Sequence, residues 1–138
     1  MTEREAIARA RAEAAVPTDG APIARRVGHG GPAGPYWLVT LEGANRTLAV
    51  VAIGDDGSIV GAGRPARATR HVAVDAGRAR ELAGAAPGAT AELVWWPSTA
   101  SRSPLFPLWQ VRVGDHDSWV ALDGTVLRER PGAAARAG

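Results

Sequence analysis

The feature that most constrains this chain is a strand and a turn that each occur twice. "PYWLVTL", from Pro35 to Leu41, and "PLWQVRV", from Pro107 to Val113, both open Pro-x-Trp-x-Val. Side chains alternate between the two faces of a strand. Trp37, Val39 and Leu41 therefore share one face, as do Trp109, Val111 and Val113. Downstream, "DGSIV" (Asp56 to Val60) matches "DGTVL" (Asp123 to Leu127). Each is an Asp-Gly turn leading into β-forming residues, a hairpin signal. Self-similarity of this kind has to be read before anything else, because it sets the architecture.

A helix precedes each copy. Thr2 with Glu5 makes a capping-box pattern before "REAIARARAEAA". Ile7, Ala10 and Ala14 fall on one face, and Pro17 and Gly20 end the helix. Asp75 caps "AGRARELAGAA", with Leu82 and small alanines facing inward and Pro87-Gly88 as the stop. Strands are predicted over 21–27, 36–41, 47–53 and 58–61, then over 91–96, 108–113, 118–122 and 125–128. "RHVAV" in the connecting stretch is a further short strand. The expected fold is α+β: two repeated helix-plus-antiparallel-sheet units packed as one globule. The first unit spans 1–64, a linker or short strand 65–74, the second unit 75–129 and a flexible tail 130–138.

The segments "EREAIARARAEA", "PYWLVTL" and "GDDGSIV", then "DAGRARELAG", "PLWQVRV" and "LDGTVL", resemble the PepSY family as two tandem units. The resemblance covers most of residues 3 to 128. It implies a cystatin-like fold and a non-enzymatic role, since many members accompany peptidases as inhibitory or chaperone-like segments. Members also occur in secreted and membrane proteins. No leader or membrane segment is expected here, a departure from that pattern.

Composition narrows the class. The chain has 138 residues and is 46% hydrophobic, enough to build a core. No cysteine is present, which removes disulfides and thiolate metal sites. All 16 basic residues are arginine, a bias typical of GC-rich bacterial coding sequences. Fourteen acidic residues nearly balance them, unlike the basic stripe of a nucleic-acid binder. No run approaches the roughly 18 apolar residues of a spanning helix. The expected location is cytoplasmic, with no membrane association, cofactor or metal, and the oligomeric state is open.

Catalytic motifs are weak. "GHGGPAG", Gly28 to Gly34, is of the kind that forms an oxyanion loop, but no Gly-x-Ser-x-Gly nucleophile turn accompanies it. The same glycines, and "GAGRPA" from Gly61, fit a dinucleotide fingerprint only nominally, because no helix start follows them. Asp115, His116 and Asp117 read as a hairpin tip, and Asp55-Asp56 as an exposed turn. Arg64, Arg67 and Arg70 form the best basic cluster, without interleaved aromatics; a nucleic-acid contact is the least favoured reading.

Recognition residues are better marked. In "LVWWPSTASRSPLFPLW", Trp95 and Trp96 are adjacent and must point to opposite faces. Leu93 and Trp95 share a face with Ala91; Val94 and Trp96 share the other with Glu92. Trp95 is therefore assigned to the core and Trp96 to the outer or interface face, where aromatics make good binding anchors. The proline-stiffened loop that follows brings Ser101, Arg102, Ser103 and Phe106. These residues with Trp96 form the expected protein-partner surface, and Trp96→Ala is expected to spare the fold. The function expected first is a non-enzymatic binding or accessory module for a partner protein, of which an inhibitory or immunity-type protein is one form. The alternative is a small-molecule site in the concave sheet face, with His29, Tyr36 and His116 as ligand or modest catalytic groups.

Overall fold

The computed structural model describes residues 1–13, 16–17, 19–28 and 34–132. The protein is α+β, with two helices and one eight-stranded mixed sheet among the described residues. In chain order these are α1 (Glu3–Ala12), β1 (Ala21–Gly28), β2 (Tyr36–Glu42), β3 (Thr47–Gly54) and β4 (Ile59–Gly63). Then follow α2 (Ala76–Ala83), β5 (Ala91–Val94), β6 (Leu108–Val113), β7 (His116–Ala121) and β8 (Val126–Leu127). Each half of the chain thus runs helix and then four strands.

Both helices start on the residues that their sequences offer as caps. The Thr2 hydroxyl accepts the Glu5 amide, and the Glu5 carboxylate accepts the Thr2 amide in return. Asp75 accepts the Arg78 amide. Gly84 closes α2 in the left-handed conformation at φ 78°, which glycine adopts without steric cost. The buried helix positions are Ala6 and Ala10 in α1, and Ala79 and Ala83 in α2. Alanine at i and i+4 lets each helix lie close on the sheet.

The strand order is β4-β3-β2-β1-β5-β6-β7-β8. Every neighbouring pair is antiparallel except β1 and β5, which meet in parallel through Val27–Leu93 and Gly28–Val94. The helices occupy opposite faces. On one face α1 packs on Val39, Leu41, Ala49, Val51 and Ile53. On the other, α2 packs in a larger core with Val27, Tyr36 and Leu38 from the first half and Leu93, Trp109 and Val111 from the second. That core crosses the junction, where Tyr36 and Trp95 meet edge to face at 6.4 Å. A third, smaller cluster of Val94, Trp96, Leu108 and Trp119 lies on the α1 face of the second half.

Matching positions of the two halves make matching contacts. Trp37 Nε1 donates to the carbonyl of Met1, and Trp109 Nε1 to that of Val74, each the residue just before a helix cap. Asp56 accepts the Ser58 amide, and Asp123 the Thr125 amide, both at 2.9 Å. The glycine of each Asp-Gly turn has positive φ, 86° at Gly57 and 100° at Gly124.

Several boundaries differ from the sequence reading. The first helix stops at Ala12, and its buried face is Ala6 and Ala10 rather than Ile7, Ala10 and Ala14; Ala14 lies outside the described residues. β5 ends at Val94, two residues short, because Pro97 lacks an N–H and restricts Trp96 before it. β7 starts at His116, so the hairpin tip is only Gly114-Asp115. "RHVAV" forms no strand, yet Val72 and Val74 pack into the larger core. The strands of the two halves form one continuous sheet, not two.

Leu38 is fully buried at the centre of the shared core. Leu38→Ala is expected to cost about 3 kcal/mol, and Thr2→Ala about 1 kcal/mol through the lost cap. Urea unfolding of both variants measures the ratio.

Candidate functional site

The α1 face is covered by α1 in the first half; in the second, among the described residues, it is open around Glu92, Gln110 and Asp117. On that open face a groove of about 420 Å³ runs over β5, β6 and β7. Its floor is Val94, Trp96 and Trp119, and Glu92, Gln110 and Asp117 supply polar groups. Alternation explains the set: 92, 94 and 96 share one face of β5 and its continuation, and 117 and 119 share one face of β7. The register places Glu92 beside Gln110, and Gln110 beside Trp119.

The two indoles meet edge to face, 6.4 Å apart at 81°. Gln110 Nε2 donates to Asp117 Oδ2 at 2.9 Å, and Arg112 lies 3.6 Å from the other carboxylate oxygen. Trp119 Nε1 is buried and has no hydrogen-bond partner among the described residues. An indole N–H left so costs about 1–3 kcal/mol. The C-terminal segment forms one rim. Arg130 places its guanidinium 4.7 Å from the centre of the Trp96 ring. Trp96 Nε1 donates to the Pro131 carbonyl at 3.3 Å, and the Thr99 amide to that of Gly132 at 2.9 Å. Residues 130–132 of the expected flexible tail are thus docked.

Trp96 does face away from Trp95, but only 9% of its surface is exposed. Among the described residues, Trp119 and the C-terminal segment pack against it. The loop turns the other way, onto the α2 face. Leu105 packs against that core, and the Pro104 carbonyl accepts the Tyr36 hydroxyl at 2.6 Å. Trp96 and the loop are consequently separate surfaces.

Ser101, Arg102, Ser103 and Phe106 do come together, in a second cavity of about 360 Å³ that also includes His71 and Asp123. Most of its polar atoms hold the loop in place. Ser101 Oγ accepts from Trp95 Nε1 and donates toward the carbonyls of Ser103 and Phe106. His71 Nε2 is bonded to the Leu105 carbonyl, and its ring lies 4.7 Å from that of Phe106. Phe106 remains 51% exposed. The sequence reading missed His71, because nothing local to "RHVAV" announces a contact 34 residues away.

The alternative ligand trio does not assemble. His29 lies outside the described residues, as does most of the glycine loop. Tyr36 is buried, and burial pushes its hydroxyl well above the ordinary phenol value. His116 is exposed beside Asp115, at the first position of β7 next to the tip of the β6–β7 hairpin. Strand register puts Tyr36 and that tip at opposite ends of the sheet. Among the described residues no group of three His, Asp or Glu side chains is placed to hold a metal.

Other charged groups serve the scaffold. Asp55 forms a two-pronged pair with Arg26, whose guanidinium holds the carboxyl below the usual range. Arg70 bonds Glu42 and the carbonyls of Gly43, Ala44 and Arg46, so this one member of the arginine cluster closes the β2–β3 turn. Among the described residues no helix is long and apolar enough to cross a membrane. No protein-family model, curated protein or solved structure gives a significant match to this chain.

Two outcomes are expected. Trp96→Ala removes a mostly buried indole and should destabilise the fold by about 3 kcal/mol, which corrects the expectation that it would be neutral; denaturant unfolding measures this. Burial holds the His71 imidazole below its ordinary value of 6.5. The unfolded chain therefore takes the proton more readily, and stability is lost as pH falls through 6.5 toward the lower folded value. His71→Gln should flatten that part of the stability–pH curve, as read by thermal melts between pH 5 and about 8.

Proposed function

We propose that this protein is a non-enzymatic binding module made of two tandem PepSY-like units, which receives an extended segment of a partner protein on the open face of β5–β7. Duplication is supported by the paired Trp37 and Trp109 bonds to the residue before each helix, and by the paired Asp-Gly turns. Under that equivalence, the open face of the second unit corresponds to the α2 face of the first. There, Leu105 and Val72 pack against the core that contains Tyr36, Leu38 and Ala52.

The groove is the observation that carries the reading. One unit has this face covered by the chain's own loop and linker; the other has Trp96 and Trp119 ringed by Glu92, Gln110 and Asp117 in the corresponding place. Aromatic residues ringed by polar groups are the usual make-up of a recognition surface. An inhibitory or immunity-type protein that grips a segment of an enzyme is one form of this function. The non-enzymatic reading draws support from the polar groups of the loop cavity, where Ser101 and His71 bond loop carbonyls and not each other.

The test is selection of binders from a displayed random-peptide library on the full chain. Enriched peptides should perturb the Trp96 and Trp119 indole signals in NMR. They should lose at least tenfold in affinity for Gln110→Arg, which fills the groove while its thermal melt stays unchanged. Peptides that bind Gln110→Arg equally, or a library that yields none, would remove this reading. A small apolar ligand that binds the groove where no peptide does would replace it with the small-molecule alternative.

A further inference from the structure

Resting on that reading, the next question is what chemistry the groove selects. The chain's own C-terminal segment gives a precedent. Arg130 stacks its guanidinium on the Trp96 ring at 4.7 Å, the geometry of a cation–π contact. The segment is held at two backbone points, Pro131 to Trp96 Nε1 and Gly132 to the Thr99 amide. This is how an extended peptide would lie: carbonyls anchored on donors, one cationic side chain on an aromatic face.

The charge around the groove points the same way. Glu92 and Asp117 both border it. Glu92 has no ion-pair partner among the described residues, and Asp117 has only the longer Arg112 contact at 3.6 Å. Arg130 forms no salt bridge among the described residues, so it balances neither acid at close range. Glu92 and Asp117 line the same groove as the edge-to-face indole pair, so a guanidinium bound there has both acids and both rings among its lining. Arginine suits such a site better than lysine, because its planar group stacks on rings and bonds carboxylates with two prongs.

We propose that the groove recognises an arginine-bearing extended segment of a partner protein, and that Arg130 to Gly132 is an internal pseudo-ligand that competes for it. Binding displaces Arg130 from Trp96, and the partner's guanidinium takes its place between the Trp96 ring and the carboxylates of Glu92 and Asp117. The C-terminal segment therefore sets the threshold for capture, since a ligand must outcompete a tethered copy of its own chemistry.

The test uses the full chain and a synthetic peptide of residues 127–132, Leu-Arg-Glu-Arg-Pro-Gly, with blocked ends. Binding is followed by calorimetry and by the indole N–H signals of Trp96 and Trp119. Arg130→Ala should bind this peptide about fivefold more tightly than the unaltered chain. Replacing the peptide's arginines with citrulline, a neutral analogue of similar shape, should abolish that gain. Glu92→Gln with Asp117→Asn in the Arg130→Ala background should weaken binding by a similar factor. N-acetyl-arginine methylamide should bind far more weakly than the peptide; equal binding would overturn the segment in favour of a free guanidinium compound. Equal affinity of Arg130→Ala and the unaltered chain, or indifference to citrulline, would overturn the proposal. If library peptides still bind the groove in that case, the broader binding function stands without it. If nothing binds there, both fall.

Discussion

The short parallel pairing of β1 with β5 decides most of this structure. It involves only Val27–Leu93 and Gly28–Val94, yet it turns eight strands into one sheet. With the two inner strands parallel, the halves lie side by side with their faces exchanged. α1 therefore packs on one face and α2 on the other. Two ladder positions would not hold this junction alone. The larger core spans it, with Tyr36 and Leu38 packed in the same cluster as Trp95 and Trp109, and the Tyr36–Trp95 ring pair adds about 1 kcal/mol.

Face exchange leaves each half with one face that its own helix does not reach. In the first half that face has to be covered, because Leu38, Val50 and Ala52 are apolar. The linker supplies Val72 and Val74, and the 97–107 loop supplies Leu105. Hydrogen bonds from Tyr36 to Pro104 and between His71 and Leu105 fix the loop there. In the second half the uncovered face carries Glu92, Gln110 and Asp117 among the tryptophans. Polar groups there tolerate water, and the groove persists. A packing consequence of the topology thus becomes the candidate binding surface.

The site was half legible. Alternation alone separated Trp95 from Trp96, while Glu92, itself exposed, marked a face on which Trp96 is nonetheless as buried as Trp95. The burial of Trp96 was not legible, because its cover comes from Trp119 and from Pro131, 35 residues away. The grouping of Trp96 with Arg102 and Phe106 followed from their closeness in sequence. The chain reverses at Pro97, and the loop returns to the opposite face. Gln110 and Asp117 carried no motif; only the register of β6 against β7 makes them neighbours.

Local chemistry in the sequence determined the helices, their caps at Thr2 and Asp75, the Asp-Gly turns and most strand positions, because each depends on residues within a few places of one another. It also implied that Trp37 and Trp109 play matching parts, a pattern echoed by their bonds to Met1 and Val74. Only the tertiary structure decided that the halves share one sheet, that the helices lie on opposite faces, and that Glu92, Gln110 and Asp117 gather around the tryptophans of the second half. Those outcomes depend on an edge-to-edge pairing and on a core shared across the junction. Neither leaves a periodic trace, since a strand that gains a parallel neighbour reads the same as one that does not.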